Sequence, residues 1–293
     1  MNCFFLMAGG VGKRARPLSL IRPKALFPLN GIPLIDRMIV QLRELGLGKG
    51  FVNLYHHADI LAAHMETYPA VFPIKEPVLT GNRVLTRTAG IFPGEFLLIV
   101  NADVYLQIPY RQMLDQARQT KADCVLLVKR TRRTGYRSLK VKEGFFVRRG
   151  RWIQPSGSPV PVFCGVMLMR SSLLSRIDED NIFDFLEKKG LRTAVCTTPG
   201  CWMDLGTPGL YFQADRRVRQ QEAPDLLNSR SPGVRISGDS EVIHSILWKG
   251  ARVENSHLRQ CIVLDGARVR KTRCSRRIIL PGTDQGVRLY PFR

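Results

Sequence analysis

Residues 7–34, MAGGVGKRARPLSLIRPKALFPLNGIPL, decide how the rest of the chain is interpreted. The apolar run at residues 3–6 predicts a buried strand before them, and the helix-spaced apolar residues at 34–45 predict a helix after them. Three glycines near the start of the stretch have no Cβ to hold backbone N–H groups away from a ligand. Cationic side chains follow in the same loop at Lys13, Arg14, Arg16 and Lys24. A strand, a basic glycine-rich loop and a helix, in this order, suit the binding of a polyphosphate.

Two familiar phosphate-binding loops do not describe this stretch. A P-loop, G-x-x-x-x-G-K-[ST], fails because Met7 stands where its first glycine belongs and Arg14 where its Ser or Thr belongs. The dinucleotide fingerprint G-x-G-x-x-G/A is met by Gly10, Gly12 and Ala15, but it requires a helix that begins on the loop. The prolines of the stretch exclude that helix, because proline lacks an N–H group and restricts the residue before it.

The whole stretch resembles the opening signature of the sugar-1-phosphate nucleotidyltransferases. Their pattern, (L/M)A(A/G)GxGTRLxPLT followed by PKP and GKPLI, is matched here by MAGGVGKRARPLS, PKA and GIPLI. Two departures are Lys13 in place of the usual Thr and Ala15 in place of the usual Leu. The resemblance implies an α/β fold with a Rossmann-like, mixed, mainly parallel sheet covered by helices. It also implies that the nucleotide is bound by Ala8, Gly9, Gly10, Gly12 and Lys13.

Composition narrows the class of protein. At 293 residues and 44% hydrophobic content, the chain can form one large or two modest globular domains. It has no apolar run near the ~20 residues of a membrane helix and no signal-peptide pattern, so we expect a cytoplasmic protein without a membrane partner. Seven cysteines without a C-x-x-C pair indicate free thiols rather than a zinc site or a disulfide framework.

The net charge of +21 has two interpretations. It can be a solvated basic surface that keeps the protein soluble, or it can steer a polyanionic substrate towards the protein. Nucleic acid is not expected as a partner, because the sequence has no basic stripe interleaved with aromatic residues and no recognisable nucleic-acid-binding module.

A second informative place is the apolar run at residues 96–100, which is typical of a central parallel strand covered on both faces. Asp103 follows its carboxyl end, where ligands of open α/β sheets bind. Residues 101–103 resemble the N-(G/A)-D element of the family. The resemblance implies that Asp103 holds Mg²⁺ and that Asn101 is a substrate-binding residue.

Residues 202–208, WMDLGTP, resemble the family motif W-x-D-(I/L)-G-T-P. The resemblance makes Asp204 the second Mg²⁺ ligand. A helix-capping role for Asp204 is the alternative, but Thr207 is better placed to cap a helix whose first residue is Pro208.

Other sites are less specific. Residues 76–90 resemble the segment over the nucleotide base, which gives Thr88 and Gly90 as base contacts, although an ordinary turn explains them as well. Gly165 resembles the glycine that lets the sugar approach a strand, and a bulge or a close packing contact is an equal alternative. Gln154, followed by Pro155, stands where the family has the Lys of a Glu-Lys-Pro element, so the sugar phosphate is held by other basic residues or weakly.

The end of the chain repeats itself. ILWKGARV from Ile246, IVLDGARV from Ile262 and a third copy from Ile278 begin 16 residues apart. Such a period predicts a β-solenoid, similar to the left-handed β-helix tail of the family. We therefore divide the chain into a catalytic domain, 1–228, and a short β-helix tail, 229–293, and the resemblance implies a homo-oligomer.

The resulting hypothesis is transfer of a nucleoside monophosphate from a triphosphate to a sugar 1-phosphate with Mg²⁺ as cofactor. The resemblance assigns the catalysis to Arg14, Lys24, Asp103 and Asp204. The MAGG start and the chain length resemble the mannose-1-phosphate guanylyltransferases, which favours GTP, and a uridylyltransferase is close behind. A non-catalytic nucleotide-binding homologue is favoured by Lys13 and Gln154 and opposed by both aspartates. A basic RNA-associated protein is a third possibility.

Overall fold

The computed structural model describes residues 3–91, 94–154, 157–282 and 286–292, so Pro155 lies outside the described residues. The chain forms two compact units. Unit 1 consists of Met1–Gly10 and Ile39–Trp202, and unit 2 consists of Val11–Met38 and Met203–Arg293. The glycine-rich loop is therefore divided between the two units after Gly10. The division at 228/229 coincides with the first strand of the tail, Ser229–Arg230, and stays a proposal.

Unit 1 is built on a nine-stranded mixed sheet. Its strands lie in the order Val71–Lys75, Lys49–Leu54, Cys3–Met7, Phe96–Asn101, Val160–Arg170, Cys124–Thr131, Thr193–Thr197, Phe145–Trp152, Arg137–Lys142. The first four strands pair in parallel, as do the sixth and seventh, whereas the fifth is antiparallel to both neighbours. The Rossmann-like mixed sheet is thus confirmed. All of Phe96 to Val100 is buried, as the unbroken apolar run predicts for a strand covered on both faces.

Helices alternate with many of the strands along the chain. The α-helices are Leu34–Glu44, Ala58–Met65, Tyr110–Gln119, Ile182–Lys189 and Pro208–Glu222, and longer 3₁₀ segments cover Gly81–Thr88 and Ser171–Arg176. Two further short strands are Val104–Leu106 and Trp202–Asp204. Among the helices in the described part of the chain, none is both long and apolar enough to cross a membrane.

The stretch with the prolines forms no α-helix before residue 34. It contains three 3₁₀ turns, Lys13–Ala15, Leu18–Leu20 and Lys24–Leu26, and a hairpin of strands Pro28–Leu29 and Ile32–Pro33. Ala15 and Leu18 are fully buried, and Pro23 precedes the third turn in an extended conformation. As predicted, an α-helix is excluded from this stretch. Pro17 and Pro23 stand just before the second and third 3₁₀ turns, where the N–H group that proline lacks is not needed.

The tail is a parallel β-helix with three faces. The first face contains the parallel strands Ser229–Arg230, Ile246–Leu247, Ile262–Val263 and Arg277–Pro281, and the antiparallel closing strand Val287–Pro291. The second face contains the strands Arg235–Ser237, Arg252–Glu254 and Arg268–Arg270. The third face contains the strands Glu241–Ile243, His257–Arg259 and Arg273–Ser275. Ile246, Ile262 and Ile278 pair in register, which confirms the repeat of 16 residues. The left-handed sense of the β-helix stays a prediction.

Arginines form a column on the second face of the tail. Arg235, Arg252 and Arg268 occupy the same register position on successive coils and are all exposed. Glu254, on the same face, is engaged by Arg270 at 3.0 Å. Part of the high positive charge is therefore concentrated on one flat face, and like charges stacked across strands lower stability.

Within unit 2, three buried aromatic side chains join the proline-rich stretch to the tail. The ring of Phe27 lies 5.3 Å from that of Tyr211 and 5.2 Å from that of Trp248. Trp248 donates from Nε1 to the Tyr211 hydroxyl at 2.9 Å, and this hydroxyl donates to the carbonyl oxygen of Pro28 at 2.7 Å. Burial raises the pKa of Tyr211 well above its ordinary value, so the hydroxyl stays neutral and can both accept and donate.

Candidate functional site

The start of the glycine-rich loop and Asp103 follow the carboxyl ends of two neighbouring parallel strands, Cys3–Met7 and Phe96–Asn101. Met7 and Asn101 are register partners, and the N–H of Ala102 donates to the carbonyl oxygen of Met7 at 3.0 Å. The start of the glycine-rich loop is therefore beside the turn that carries Asp103, which is half-buried. This is the edge of a parallel sheet at which ligands bind, because the chain turns away there and leaves a crevice.

The first residues of the loop are held by Asn53, a side chain outside all the sequence motifs described above. Asn53 accepts at Oδ1 from the N–H groups of Ala8, at 2.6 Å, and Gly9, at 3.1 Å. Gly10 is exposed, and a Cβ built on it would meet nothing within 4 Å. Ala8 and Gly9 thus use their N–H groups inside unit 1, whereas Gly10 leaves open space for a ligand. The signal for Asn53 in the sequence is a single amide side chain among the apolar residues at 51–54.

Asn101 and Gly165, the two residues implied in sugar binding, lie together. Gly165 has φ +83°, and a Cβ there would lie 3.1 Å from both Cβ and Nδ2 of Asn101. The pairing of its strand shifts register between Phe163 and Met167, so Gly165 occupies an irregular point of the strand. A glycine is required here, because a side chain would be strained and would press on Asn101.

The two base-contact candidates differ in exposure. Thr88 is fully buried and its hydroxyl donates to the carbonyl oxygen of Leu85 at 2.7 Å, an arrangement typical of a packing residue. Gly90 is exposed at φ +81°, with open space around its Cα. Contact of either residue with a nucleotide base stays a prediction.

In unit 2, Gly12 allows close approach of the loop to Ser19 and Lys24. Gly12 has φ +67°, and a Cβ there would lie 3.0 Å from the Ser19 Cβ and 3.3 Å from the Lys24 Cγ. The Ser19 hydroxyl donates to the carbonyl oxygen of Gly12 at 2.9 Å. The next turn buries Ala15 and leaves Lys13 and Arg14 exposed. This packing holds the backbone still while the cationic side chains remain accessible.

Asp204 and Arg14 converge on Gly206 within the same unit. A Cβ on Gly206 would lie 2.8 Å from Oδ1 of Asp204 and 3.0 Å from a terminal nitrogen of Arg14. Thr207 accepts from the N–H of Leu210 and Pro208 is the first residue of the helix, which confirms the predicted cap. The carboxylate of Asp204 and the guanidinium of Arg14 are distant in sequence but lie together beside Gly206. A side chain at position 206 would push these two groups away.

The residues present fit a magnesium ion held partly by substrate. In the ranges that the structure describes, no three His, Cys, Asp or Glu side chains form a metal-binding group. Mg²⁺ is usually held by one or two carboxylates together with waters and substrate phosphates, rather than by a cage of protein ligands. Asp103 and Asp204, both half-buried, are hard oxygen donors of this kind. A single ion shared by the two stays a proposal.

Comparison with known proteins agrees with these features. The family model described as nucleotidyl transferase matches residues 5–148. The mannose-1-phosphate guanylyltransferase catalytic subunit beta of Danio rerio is 26% identical over 251 residues, which cover 78% of this chain and 68% of the relative. Mannose-1-phosphate guanylyltransferase 1 of Arabidopsis thaliana is 22% identical over 307 residues, covering 92% of this chain and 83% of the relative.

A solved structure has the same fold. The crystal structure of HddC from Yersinia pseudotuberculosis complexed with GMP-PN has a TM-score of 0.64 and 18% sequence identity to this chain. The match covers 74% of this chain and 99% of that one. At this identity the likeness concerns the fold alone.

Proposed function

Since the chain belongs to the sugar-1-phosphate nucleotidyltransferase family, we propose that it transfers a nucleoside monophosphate, GMP by preference, from a triphosphate to a sugar 1-phosphate. The observation that carries this proposal is the convergence of Asp204 and Arg14 on Gly206. It provides a carboxylate for a cation and a cation for a phosphate at one point of the molecule.

The reaction requires positioning and charge stabilisation more than covalent chemistry by the protein. An oxygen of the sugar phosphate attacks the α-phosphorus of the nucleotide, the bond between the α-phosphorus and the bridging oxygen breaks, and pyrophosphate leaves with that oxygen. Arg14, with Lys13 beside it, stabilises the charge on the leaving pyrophosphate. Lys24, held against Gly12, neutralises the reacting phosphate. Gly10 and Gly12 let the backbone approach the nucleotide.

Asp103 and Asp204 are the residues that would hold Mg²⁺. The ion, when bound, neutralises phosphate charge and orients the reacting oxygens. Asp103 lies in the turn after the strand Phe96–Asn101, and Asp204 is the last residue of the short strand Trp202–Asp204, so the backbones of both are fixed by hydrogen-bonded structure.

The sugar 1-phosphate is proposed to meet Asn101 and Gly165. With Gln154 in place of the family lysine, its phosphate depends on other cations, and Lys24 is the one already assigned to it. A homo-oligomer formed through the tail remains part of the proposal, because parallel β-helices present flat faces to a partner.

The test is a panel of ATP, GTP, CTP and UTP against common sugar 1-phosphates, scored by Mg²⁺-dependent release of pyrophosphate. We expect GTP with a mannose-like sugar phosphate to be the best pair. Asp204→Asn and Arg14→Met should each lower turnover on the order of 10²-fold, the loss typical of one preorganised electrostatic group. Arg16→Met is the matched control, because Arg16 is an exposed cation of the same loop that is not among the assigned catalytic or nucleotide-binding residues.

Two outcomes would contradict the proposal. Near-normal turnover in Asp204→Asn and Arg14→Met would remove the assigned charges from the mechanism. Nucleotide binding without pyrophosphate release for any pair would identify a non-catalytic homologue instead.

A further inference from the structure

A chain of buried hydrogen bonds connects the glycine-rich loop to a carboxylate that the mechanism does not use. Asn53 and Glu76 are 1% and 6% exposed. Asn53 donates from Nδ2 to Oε1 of Glu76 at 2.6 Å, and the other oxygen of Glu76 accepts from the N–H of Thr80, at 3.1 Å, and from its hydroxyl. Together with the bonds from Ala8 and Gly9 to Asn53, these contacts form one continuous network.

The carboxylate determines which way the Asn53 amide faces. A carboxylate only accepts hydrogen bonds, whereas an amide has one accepting oxygen and one donating NH₂ group. The NH₂ group of Asn53 must therefore face Glu76, and its oxygen must face the N–H groups of Ala8 and Gly9. Thr80 in turn fixes the second oxygen of Glu76. Buried amide networks of this kind are specific only when every member is satisfied.

Gly9 fits the same arrangement sterically. A Cβ on Gly9 would lie 2.6 Å from Nδ2 of Asn53 and 3.3 Å from Oε1 of Glu76. The absence of a side chain lets the Asn53 amide reach the backbone. The loop is thus fixed at Ala8 and Gly9 just before the exposed Gly10, the last residue of this segment of unit 1.

We infer that Asn53 and Glu76 are positioning residues that hold the first turn of the loop in its nucleotide-binding shape. Neither is assigned a contact with substrate; they act through the backbone of Ala8 and Gly9. The effect on nucleotide affinity rests on the proposed function, whereas the effect on the two amides does not.

Single substitutions should break the network in different ways. Asn53→Ala removes the acceptor, so we expect faster hydrogen exchange at the N–H groups of Ala8 and Gly9 and about 10- to 100-fold lower kcat/KM for GTP. In Glu76→Gln, one of the two accepting oxygens becomes an NH₂ group that donates. This NH₂ group must face another donor, either the Asn53 NH₂ group or the Thr80 N–H. Asn53→Asp places two carboxylates in contact, and a shared proton can bridge them only at lower pH, so this variant alone should recover as the pH falls from 8 to 6.

The decisive variant combines Asn53→Asp with Glu76→Gln. The new glutamine NH₂ can donate to the new aspartate, and the glutamine oxygen can accept from Thr80. The second aspartate oxygen can still accept from Ala8 and Gly9. Every hydrogen bond of the network is regained, and only the bond between residues 53 and 76 has its donor and acceptor exchanged. The double variant should therefore exceed both single variants in amide protection and in GTP affinity. It should also lack the pH dependence of Asn53→Asp.

Asn181→Ala is the control for loss of stability alone. Asn181 caps a helix by accepting from the N–H of Phe183, so its removal should lower stability while GTP affinity, measured by calorimetry with Mg²⁺, stays unchanged.

A double variant that does not exceed both single variants in amide protection at pH 8 would overturn the inference. Restored amide protection with no change of GTP affinity in any variant would overturn the positioning role. If the wild-type protein neither binds GTP nor releases pyrophosphate, the proposed function fails, and the exchange data still decide whether the network holds the loop.

Discussion

Replacing Asp215 by Asn should remove a pH-dependent part of the stability of unit 2. Asp215 lies on the helix Pro208–Glu222, is 2% exposed, and accepts from the N–H of Asn30 at 2.8 Å. Burial raises its pKa from 3.8 to about 6, although the Asn30 N–H and nearby arginines favour the charged form. The folded protein therefore binds a proton more tightly than the unfolded chain does.

The sign and size follow from this difference in pKa. The contribution of Asp215 to stability is fully present below pH 3.8 and is lost as the pH rises through about 6. Each pH unit between the two pKa values corresponds to about 1.4 kcal/mol, which gives about 3 kcal/mol in total. Between pH 4.5 and 7.5 we expect about 2 kcal/mol. An asparagine oxygen can still accept from the Asn30 N–H, so the variant should keep the contact without the titration.

Glu222, on the same helix, provides a control of opposite sign. It accepts from Arg37 and from the side chain of Asn30, and the Arg37 hydrogen bonds hold its pKa below the ordinary value. Its contribution is present above the pKa of the unfolded chain and is lost as the pH falls through the lower pKa of the folded state. Because this carboxylate is partly exposed, solvent weakens the effect and Glu222→Gln should give a smaller slope.

Urea unfolding of wild type, Asp215→Asn and Glu222→Gln at pH 4.5, 6.0 and 7.5 measures both slopes. The free energy of unfolding of Asp215→Asn relative to wild type should rise with pH, and that of Glu222→Gln should fall. A constant difference for Asp215→Asn across this range would refute the argument, because it would mean that Asp215 has the same pKa in the folded and unfolded states.

Three further predictions concern packing and charge. Trp248→Ala should lower the free energy of unfolding by about 3–5 kcal/mol, and Trp248→Phe by about 2 kcal/mol, because phenylalanine loses the bond donated to Tyr211 and leaves a small cavity where the larger ring was buried; urea unfolding distinguishes them. Arg252→Ser, which removes the middle charge of the arginine column, should raise the melting temperature at low salt, and the gain should shrink as NaCl screens the column. Gly165→Ala should cost about 1–3 kcal/mol in chemical unfolding, because its φ is +83° and Asn101 is in contact; an unchanged midpoint would count against that strain.

Much of the fold could be predicted from the sequence because it depends on local properties. The apolar run at 96–100 predicted a strand covered on both faces, and the prolines of the opening stretch predicted the absence of an α-helix there. The repeat of 16 residues predicted the stacking of Ile246, Ile262 and Ile278. Periodicity and restricted φ are written in neighbouring residues, so they need no knowledge of the packed chain.

Part of the candidate site could also be predicted, since its motifs are short. Asp103 does follow a central strand, and Thr207 and Pro208 do begin a helix after Asp204. Their joint use of one metal ion stays a prediction, because no local pattern specifies the distance between residues so far apart in the chain.

Only the tertiary structure decided which distant residues meet. It placed Asn53 on the backbone of Ala8 and Gly9, 45 and 44 positions away, and it joined Phe27 to Trp248. It also grouped Val11–Met38 with the tail rather than with the sheet that follows it in sequence. Such contacts depend on how whole helices and strands bury their apolar surfaces and pair their polar groups with hydrogen-bond partners. The same local patterns could be packed with other residues in contact, so the patterns alone do not specify these pairs.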